Sequence, residues 1–498
     1  MSGSASESGP PKKEDGAEPG SRVRAPGVVV AVLAFCGIVV SLMQTIVVPL
    51  IPDLPRLVHT SAANASWIIT ATLLAAAVCN PVSGRLGDLY GKRRVMLASL
   101  LLMIIGSVVC ALSEGLIPVV AGRVLQGCAI GVIPLGISIM RDELPPERLP
   151  SAMALMSATL GVGGAIGLPL AAFIAQHADW HALFWMAAAA GAVNLLLVAL
   201  IVPESPLRAA GTFDVPGAIG LTVGLVCLLL AITKGGDWGW TSGPTLGLFA
   251  AAVAVLLAWG LMELRLRAPL VDLRTTARRP VLLTNLASVV VGFALFAMSL
   301  VLPTLLQSPP ATGYGLGLSL VEAGLCLAPG GLVMMLLSPV SARVSRRWGP
   351  KVALMAGTLV IAAGYAATLG LMRSAWEVVI GGSVIAAGVG LAYAAMPALI
   401  MSSVPASETA AANGLNALMR SIGTSASSAV TSVVLAHMTL AAAGPYTLPS
   451  LRGLQVALLI ACGVSLLGAA ITYFIPGRPR PGRPGGDPVT GSLARSTG

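Results

Sequence analysis

A chain of 498 residues that is 56% hydrophobic and only 10% charged cannot clothe a water-facing surface, because a soluble domain carries about 25% charged residues. The formal net charge of +10 would suit a nucleic-acid partner if the basic residues formed one soluble face. They lie instead in short loops between apolar runs, so no nucleic acid is expected and the charge is read as setting topology.

Residues 1–26 are polar, with Lys12, Lys13, Glu14 and Asp15 among Ser, Gly and Pro, and lack the apolar core and small-residue cleavage site of a secretory signal. A disordered cytoplasmic tail is expected there. From residue 27 to residue 475 apolar stretches near 20 residues recur, the length that crosses about 30 Å of hydrocarbon at about 1.5 Å per residue. They are too long and too uniform for barrel strands, which alternate over about 10 residues, so each must satisfy its own backbone as a helix. Fourteen spans fit: 27–52, 62–84, 95–113, 116–139, 150–176, 182–202, 214–232, 243–262, 280–304, 319–340, 352–372, 377–403, 409–437 and 453–475. Beyond Pro476 the chain turns to Gly, Pro and Arg, which predicts a second disordered cytoplasmic tail over 476–498. All seven cysteines (Cys36, Cys79, Cys110, Cys128, Cys227, Cys326, Cys462) fall in apolar segments without metal or redox spacing and read as packing residues.

An even number of spans puts both termini on one side. With that side inside, inner tails and loops hold 25 of the 30 Lys and Arg residues, counting Arg420 in the inner half of span 13; Arg56, Lys234, Arg373 and Arg452 lie outside, and Arg123 lies within span 4. This is the positive-inside pattern, and missing one span would reverse every later loop, so count and orientation support each other. The expected location is the inner (cytoplasmic) membrane of a bacterium, multi-pass, with both termini cytoplasmic.

The chain also repeats itself at an offset of 258 residues. Pro81-Val82-Ser83-Gly84-Arg85 and Tyr90-Gly91 recur as Pro339-Val340-Ser341-Ala342-Arg343 and Trp348-Gly349, in the loops after spans 2 and 10. The predicted organisation is a six-helix bundle over 27–202, a linker with two inserted helices over 203–279, and a second six-helix bundle over 280–475. Internal repeats around a central pathway are the build of secondary transporters, in which one half rocks against the other.

The loop Gly84-Arg85-Leu86-Gly87-Asp88-Leu89-Tyr90-Gly91-Lys92-Arg93-Arg94 resembles the signature between helices 2 and 3 of the major facilitator superfamily, and the resemblance extends over residues 27–475. Fourteen spans point to its drug:proton antiporter branch, which includes many antibiotic and biocide exporters. The resemblance implies that Asp88 engages a facing helix end in the outward-open state and releases it as the inner gate opens. Physically, Gly84 and Gly87 permit close helix approach, Gly91 permits a tight turn, and Asp88 is one negative charge beside Arg85, Lys92, Arg93 and Arg94. For Arg93 and Arg94 the alternative is topology and the anchoring of phospholipid heads. In the second copy Asp88 corresponds to Arg346.

Arg123-Val124-Leu125-Gln126-Gly127, followed by Gly131, resembles the family's helix 4 signature, whose buried arginine is associated with proton transfer. Arg123 is thus the proton-coupling candidate; the alternative is a structural tie to carbonyls of neighbouring helices. Gly161, Gly163, Gly164, Gly167 and Pro169 resemble the antiporter signature that bends helix 5, and small residues with a proline allow close packing and a kink. The pattern departs at Leu168, where the family usually has proline, and at Ala171 and Ala172, which replace glycines. In span 1, Gln44-Thr45-Ile46-Val47 resembles a segment that normally begins with an acid, and that position is Met43. No Asp or Glu lies near the middle of a span; Asp53, Asp142, Glu143, Glu263 and Glu322 sit at span ends and are expected to be solvated or capping.

Gln44, Trp67, Gln126, Asn285, Tyr393 and Asn416 are the candidates to line a substrate pathway, each able instead to make an interhelical hydrogen bond, as are Asn80, Asn194 and Asn413. Without a central acid, neutral, weakly acidic or amphiphilic substrates fit better than obligate cations. His59, His177, His181 and His437 lie near outer span ends, and neither a phosphate-binding loop nor a metal-spaced cluster appears, so no enzyme, no ATP-driven pump, no cofactor and no metal are expected. The reading is a monomeric secondary transporter in a lipid bilayer that exports drug-like molecules against protons. A uniporter or importer, or a membrane sensor without net flux, are the rival readings.

Overall fold

The computed structural model describes residues 26–47, 50, 53–266, 269–440 and 448–476; the two expected tails lie outside the described residues apart from Pro26 and Pro476. Fourteen long helices follow one another. They are α1 (Pro26–Thr45), α2 (Trp67–Tyr90), α3 (Lys92–Ala111), α4 (Leu116–Glu143), α5 (Leu149–His177), α6 (His181–Ile201) and α7 (Val215–Trp238). Then come α8 (Gly243–Glu263), α9 (Arg279–Gln307), α10 (Leu320–Trp348), α11 (Pro350–Thr368), α12 (Ala375–Met401), α13 (Thr409–His437) and α14 (Leu451–Tyr473). Thirteen are long and apolar enough to cross a membrane. The other, α13, has 29 residues but carries Asn413, Asn416, Arg420 and a run of Ser and Thr. Several of these polar groups return to the helix's own carbonyls, as Asn413 does to Thr409, Ser421 to Ala417 and Thr424 to Ser421, which is how a helix tolerates them in lipid. The protein is an all-α polytopic membrane protein.

Several boundaries differ from the sequence expectation, among them the start of α2 at Trp67 rather than 62 and the end of α7 at Trp238 rather than 232. Helix α1 stops at Thr45 rather than at 52, ahead of Pro49 and Pro52, which have no N–H to continue it. Two short helices, Leu54–Leu57 and Ala62–Ala65, then lead to Trp67. Most of the expected loop 84–94 is helix: α2 runs on to Tyr90 and the chain turns only at Gly91, whose φ of +113° suits glycine alone. The second copy behaves alike, with α10 running to Trp348 and a turn at Gly349, φ +90°. After Gly84 the helix continues through polar residues, Asp88 among them finding partners on a facing helix, a property of the packing that local hydropathy does not carry. Within α4 a single 3-10 turn, Ala129–Gly131, separates two α-helical pieces.

Two cores organise the bundle. Leu33, Ile68, Met103, Leu135 and Phe184 belong to one drawn from α1 to α6; Val291, Leu302, Tyr365, Ile385 and Leu458 belong to another drawn from α9 to α14. The two groups meet where α2 lies on α13 and where α5 lies on α10 and α12. Absent side chains make the approach possible: a Cβ on Gly84 would strike the Ala410 carbonyl, one on Gly414 the Asn80 carbonyl, and one on Gly161 the Met334 side chain. Helix α7 packs on both α2 and α13, Leu221, Leu225 and Leu229 meeting Ala77, Leu415 and Leu418, and α8 packs on α7.

Candidate functional site

At the face carrying Gly91 and Gly349, here called the basic face, one acid joins the two helix groups. Asp88 lies two residues before the end of α2 and is fully buried. Its Oδ1 accepts the N–H of Ala410 (3.2 Å) and its Oδ2 that of Ala411 (2.8 Å), in the first turn of α13, where unpaired N–H groups and the helix dipole favour an anion. Lys92 Nζ stands 4.0 Å from Asp88 and 2.5 Å from Asp142 Oδ2, which also accepts the Ser205 hydroxyl. The linker after α6 is bound in as well, Ala209 donating to the Asp88 carbonyl at 2.7 Å. Arg141, beside Asp142, donates to Thr409 and to the Val404 carbonyl, a second polar tie across the two groups. Asp142 is therefore a buried ion-pair partner rather than the solvated or capping acid expected; Glu263 is buried too, while Glu322 does cap its helix with Ser319.

Around this contact Gly87 faces Leu135, and Arg93 donates its backbone N–H to Glu204 and its guanidinium to the Ala199 carbonyl. Arg94 is exposed and 3.7 Å from Glu204. Arg85 is buried with its Nε unpartnered, and it lines a cavity of about 380 Å³ with Glu263, Asp272 and Glu408. Partial burial pushes the Asp272 carboxyl up, but hydrogen bonds from Thr275 and Arg274 outweigh it and hold the group below the usual range.

Arg123 is buried, and a guanidinium at membrane depth costs at least about 2.5 kcal/mol. Carbonyl and amide oxygens offset that cost. Its Nη1 donates to Gln126 Oε1 (2.7 Å) and to the Met43 carbonyl (3.2 Å), its Nε to the Ile68 carbonyl (3.5 Å), and Gln126 donates onward to Ser107 at 2.8 Å. Among the described residues no carboxylate pairs with Arg123. Arg123 and Gln126 thus form one knot joining α1, α2, α3 and α4. In α5, Gly163 and Gly167 face Ser41 and Thr45 of α1, Gly164 has open space, and Pro169 packs against Gly324 of α10.

The remaining pathway candidates separate. Gln44 is half-buried without a hydrogen bond among the described residues. Trp67 lies 5.6 Å from Lys234 Nζ, which also reaches Ser66 (2.5 Å) and Asp237 (3.0 Å), so Trp67 serves a tie between α2 and α7. Asn285, Tyr393 and Asn416 come together around a residue that sequence reasoning passed over as a topology charge, Arg420. Asn416 donates to Asn285 Oδ1 (2.9 Å) and Ser288 Oγ (2.6 Å) and accepts from Arg420 Nη1 (2.9 Å), while the Arg420 guanidinium carbon stands 5.2 Å from the Tyr393 ring. Its signal was available, since a cation inside a span is rare. Nothing in the sequence pairs Lys92 with Asp142, or Cys79 with Cys128, whose sulfurs stand 3.0 Å apart though both thiols are free.

Two helix groups that meet where α2 lies on α13 and α5 lies on α10 and α12, and that are clasped at one face by a carboxylate on a helix start, define a transporter architecture. The Major Facilitator Superfamily model matches residues 33–428, and the chain belongs to that superfamily of transporters. It is 30% identical over 406 residues to the tetracenomycin C resistance and export protein of Streptomyces glaucescens, a match covering 80% of this chain and 73% of that one. It is 27% identical over 389 residues to a multidrug resistance protein B homolog of Mycobacterium tuberculosis, covering 76% and 70%. The fold is shared with the human organic anion transporter MFSD10 (TM-score 0.65, 18% identity, covering 90% of this chain and 100% of that one). The proton:xylose symporter XylE shares it too (TM-score 0.62, 14% identity, 91% and 96%).

Proposed function

We propose that the protein exports amphiphilic, drug-like molecules across the cytoplasmic membrane of a bacterium by alternating access, driven by the proton gradient. The basic face is cytoplasmic and both termini lie there, in keeping with the 24 of 30 Lys and Arg residues that the span order assigns to that side, Arg420 left aside. The observation that carries the reading is the capture of the α13 start by Asp88, because a closure made by two hydrogen bonds and a neighbouring ion pair is strong enough to hold and weak enough to release. Gly84, Gly87 and Gly91 set the close approach and the turn, Arg85, Lys92 and Arg93 hold the surrounding charge, and Gly163, Gly164, Gly167 and Pro169 let α5 shift between α1 and α10. Names of relatives that speak of resistance and export favour the outward direction. Arg123 is the coupling candidate, a positive charge whose partners bridge four helices.

A specific observation favours uniport as a second reading: position 43, beside Arg123, offers a backbone carbonyl and a thioether instead of an acid. Everted vesicles decide between them. Proton-driven export predicts substrate accumulation that follows an imposed pH jump, vanishes with an ionophore and is lost in Arg123→Ala. Substrate entry that only equilibrates across the membrane, at a rate indifferent to the pH jump and the ionophore, would remove the proton and leave a uniporter.

A further inference from the structure

Arg420 lies eleven residues into the 29-residue α13, about 16 Å along it at about 1.5 Å per residue, and so near half depth. A cation at that depth ordinarily pairs with an acid or with backbone carbonyls. Among the described residues no acid pairs with it; its one hydrogen bond goes to Asn416 Oδ1, and one face lies over Tyr393. A guanidinium has five N–H groups, so most of its donor capacity is unused. Arg123 differs, tied by three bonds to oxygens around it.

The setting is rigid. Asn416 is fixed by donating to both Asn285 and Ser288, which turns its oxygen toward Arg420. Gly292 lets α9 come against the backbone of Arg420 itself, where a Cβ would stand 3.0 Å from the Arg420 Cα. Tyr393 belongs to α12, and its carbonyl accepts the Ser157 hydroxyl of α5 at 3.0 Å, so the site borders the seam between the two helix groups. The Tyr393 hydroxyl has no hydrogen bond among the described residues and adds one more donor, beside an aromatic face.

Resting on the transport reading above, we propose that Arg420, with Tyr393, is the recognition point for a single negative charge on the transported amphiphile, a carboxylate, phenolate or sulfonate attached to an apolar body. The free donors meet the anion and the ring and seam meet the body, while a fixed guanidinium at mid-depth repels organic cations.

A matched probe pair tests this on the full-length protein in zwitterionic nanodiscs: 8-anilinonaphthalene-1-sulfonate and N-phenyl-1-naphthylamine share an aromatic skeleton and differ by the sulfonate. Wild-type protein binds the sulfonate at least ten-fold more tightly than the neutral amine, and more tightly than ethidium. Arg420→Gln erases the ten-fold preference while leaving the neutral probe's affinity within two-fold; Arg420→Lys retains part of it, and Tyr393→Phe lowers sulfonate affinity a few-fold. No sulfonate preference in the wild type, or a preference that survives intact in folded Arg420→Gln, overturns the proposal. The wild-type ranking and Tyr393→Phe decide it even where Arg420→Gln does not fold. Flux separates this from the transport reading: Arg420-dependent sulfonate flux that ignores the proton gradient would sink proton drive and leave the anion site standing. Proton-driven flux blind to probe charge would do the reverse.

Discussion

Asp88 holds the first turn of α13 through two backbone N–H groups, and a hydrogen bond to a charged group contributes about 1.5–3 kcal/mol. Asparagine keeps the shape but loses the charge, the neighbouring Lys92 pairing and one acceptor. A loss of about 2 kcal/mol shifts a two-state equilibrium by roughly 30-fold. Asp88→Asn is therefore expected to speed hydrogen exchange at the Ala410 and Ala411 amides by about that factor, with the core of α12 unchanged as the internal control. Unaltered exchange at those amides would mean that Arg141, through Thr409 and Val404, carries the closure instead. Arg123 teaches a different lesson at the same scale. The sequence set a coupling role beside a structural tie to carbonyls of neighbouring helices without naming a partner, and the fold answers with Met43, Ile68 and Gln126. Spatial neighbours from residues 43 and 68 cannot be read from spacing along one helix.

At the scale of elements, apolar stretches marked thirteen of the fourteen helices because lipid demands them, the even span count and the placement of Lys and Arg supported the more polar α13, and hydropathy misjudged where α1 and α2 end. The error at Gly84 is instructive: Arg85 and Asp88 look like loop residues in isolation, yet both are helical and buried, and α13 receives Asp88. The role of α7 was equally hidden. An inserted helix reads as a spacer, whereas here its Leu221, Leu225 and Leu229 lie against α2 and α13 and its buried Lys234 ties it to Ser66 beside Trp67. Replacing the buried ammonium removes its hydrogen bonds to Ser66 and to the exposed Asp237, and hydrogen bonds to a charged group contribute about 1.5–3 kcal/mol. Lys234→Met is expected to lower the thermal midpoint in nanodiscs by several degrees while keeping substrate flux within two-fold. A collapse of flux at unchanged stability would instead make the inserted pair a working part of the cycle.

For the whole molecule, the repeat between 81–91 and 339–349 foretold paired turns at Gly91 and Gly349, and the fold keeps both. It does not keep the chemistry. The α2 copy clasps α13 through Asp88, whereas the α10 copy has Arg346 at that place and meets α5 through small residues, Ala342 against Ala154, so polar closure at the basic face is one-sided. The central claim is that the two helix groups swing about the α2/α13 and α5/α10 seams, with the clasped face opening as the other closes. Spin labels borne by introduced keto amino acids report it directly, one pair at Tyr90 and Ser402 on the basic face and one at Leu112 and Trp376 on the opposite face, all four exposed positions. Pulsed dipolar spectroscopy in nanodiscs is predicted to give two distances for each pair that trade weight in opposite senses on substrate addition, with Asp88→Asn enriching the longer basic-face distance. A single unchanging distance for both pairs, in protein that still carries substrate across the bilayer, would contradict the account.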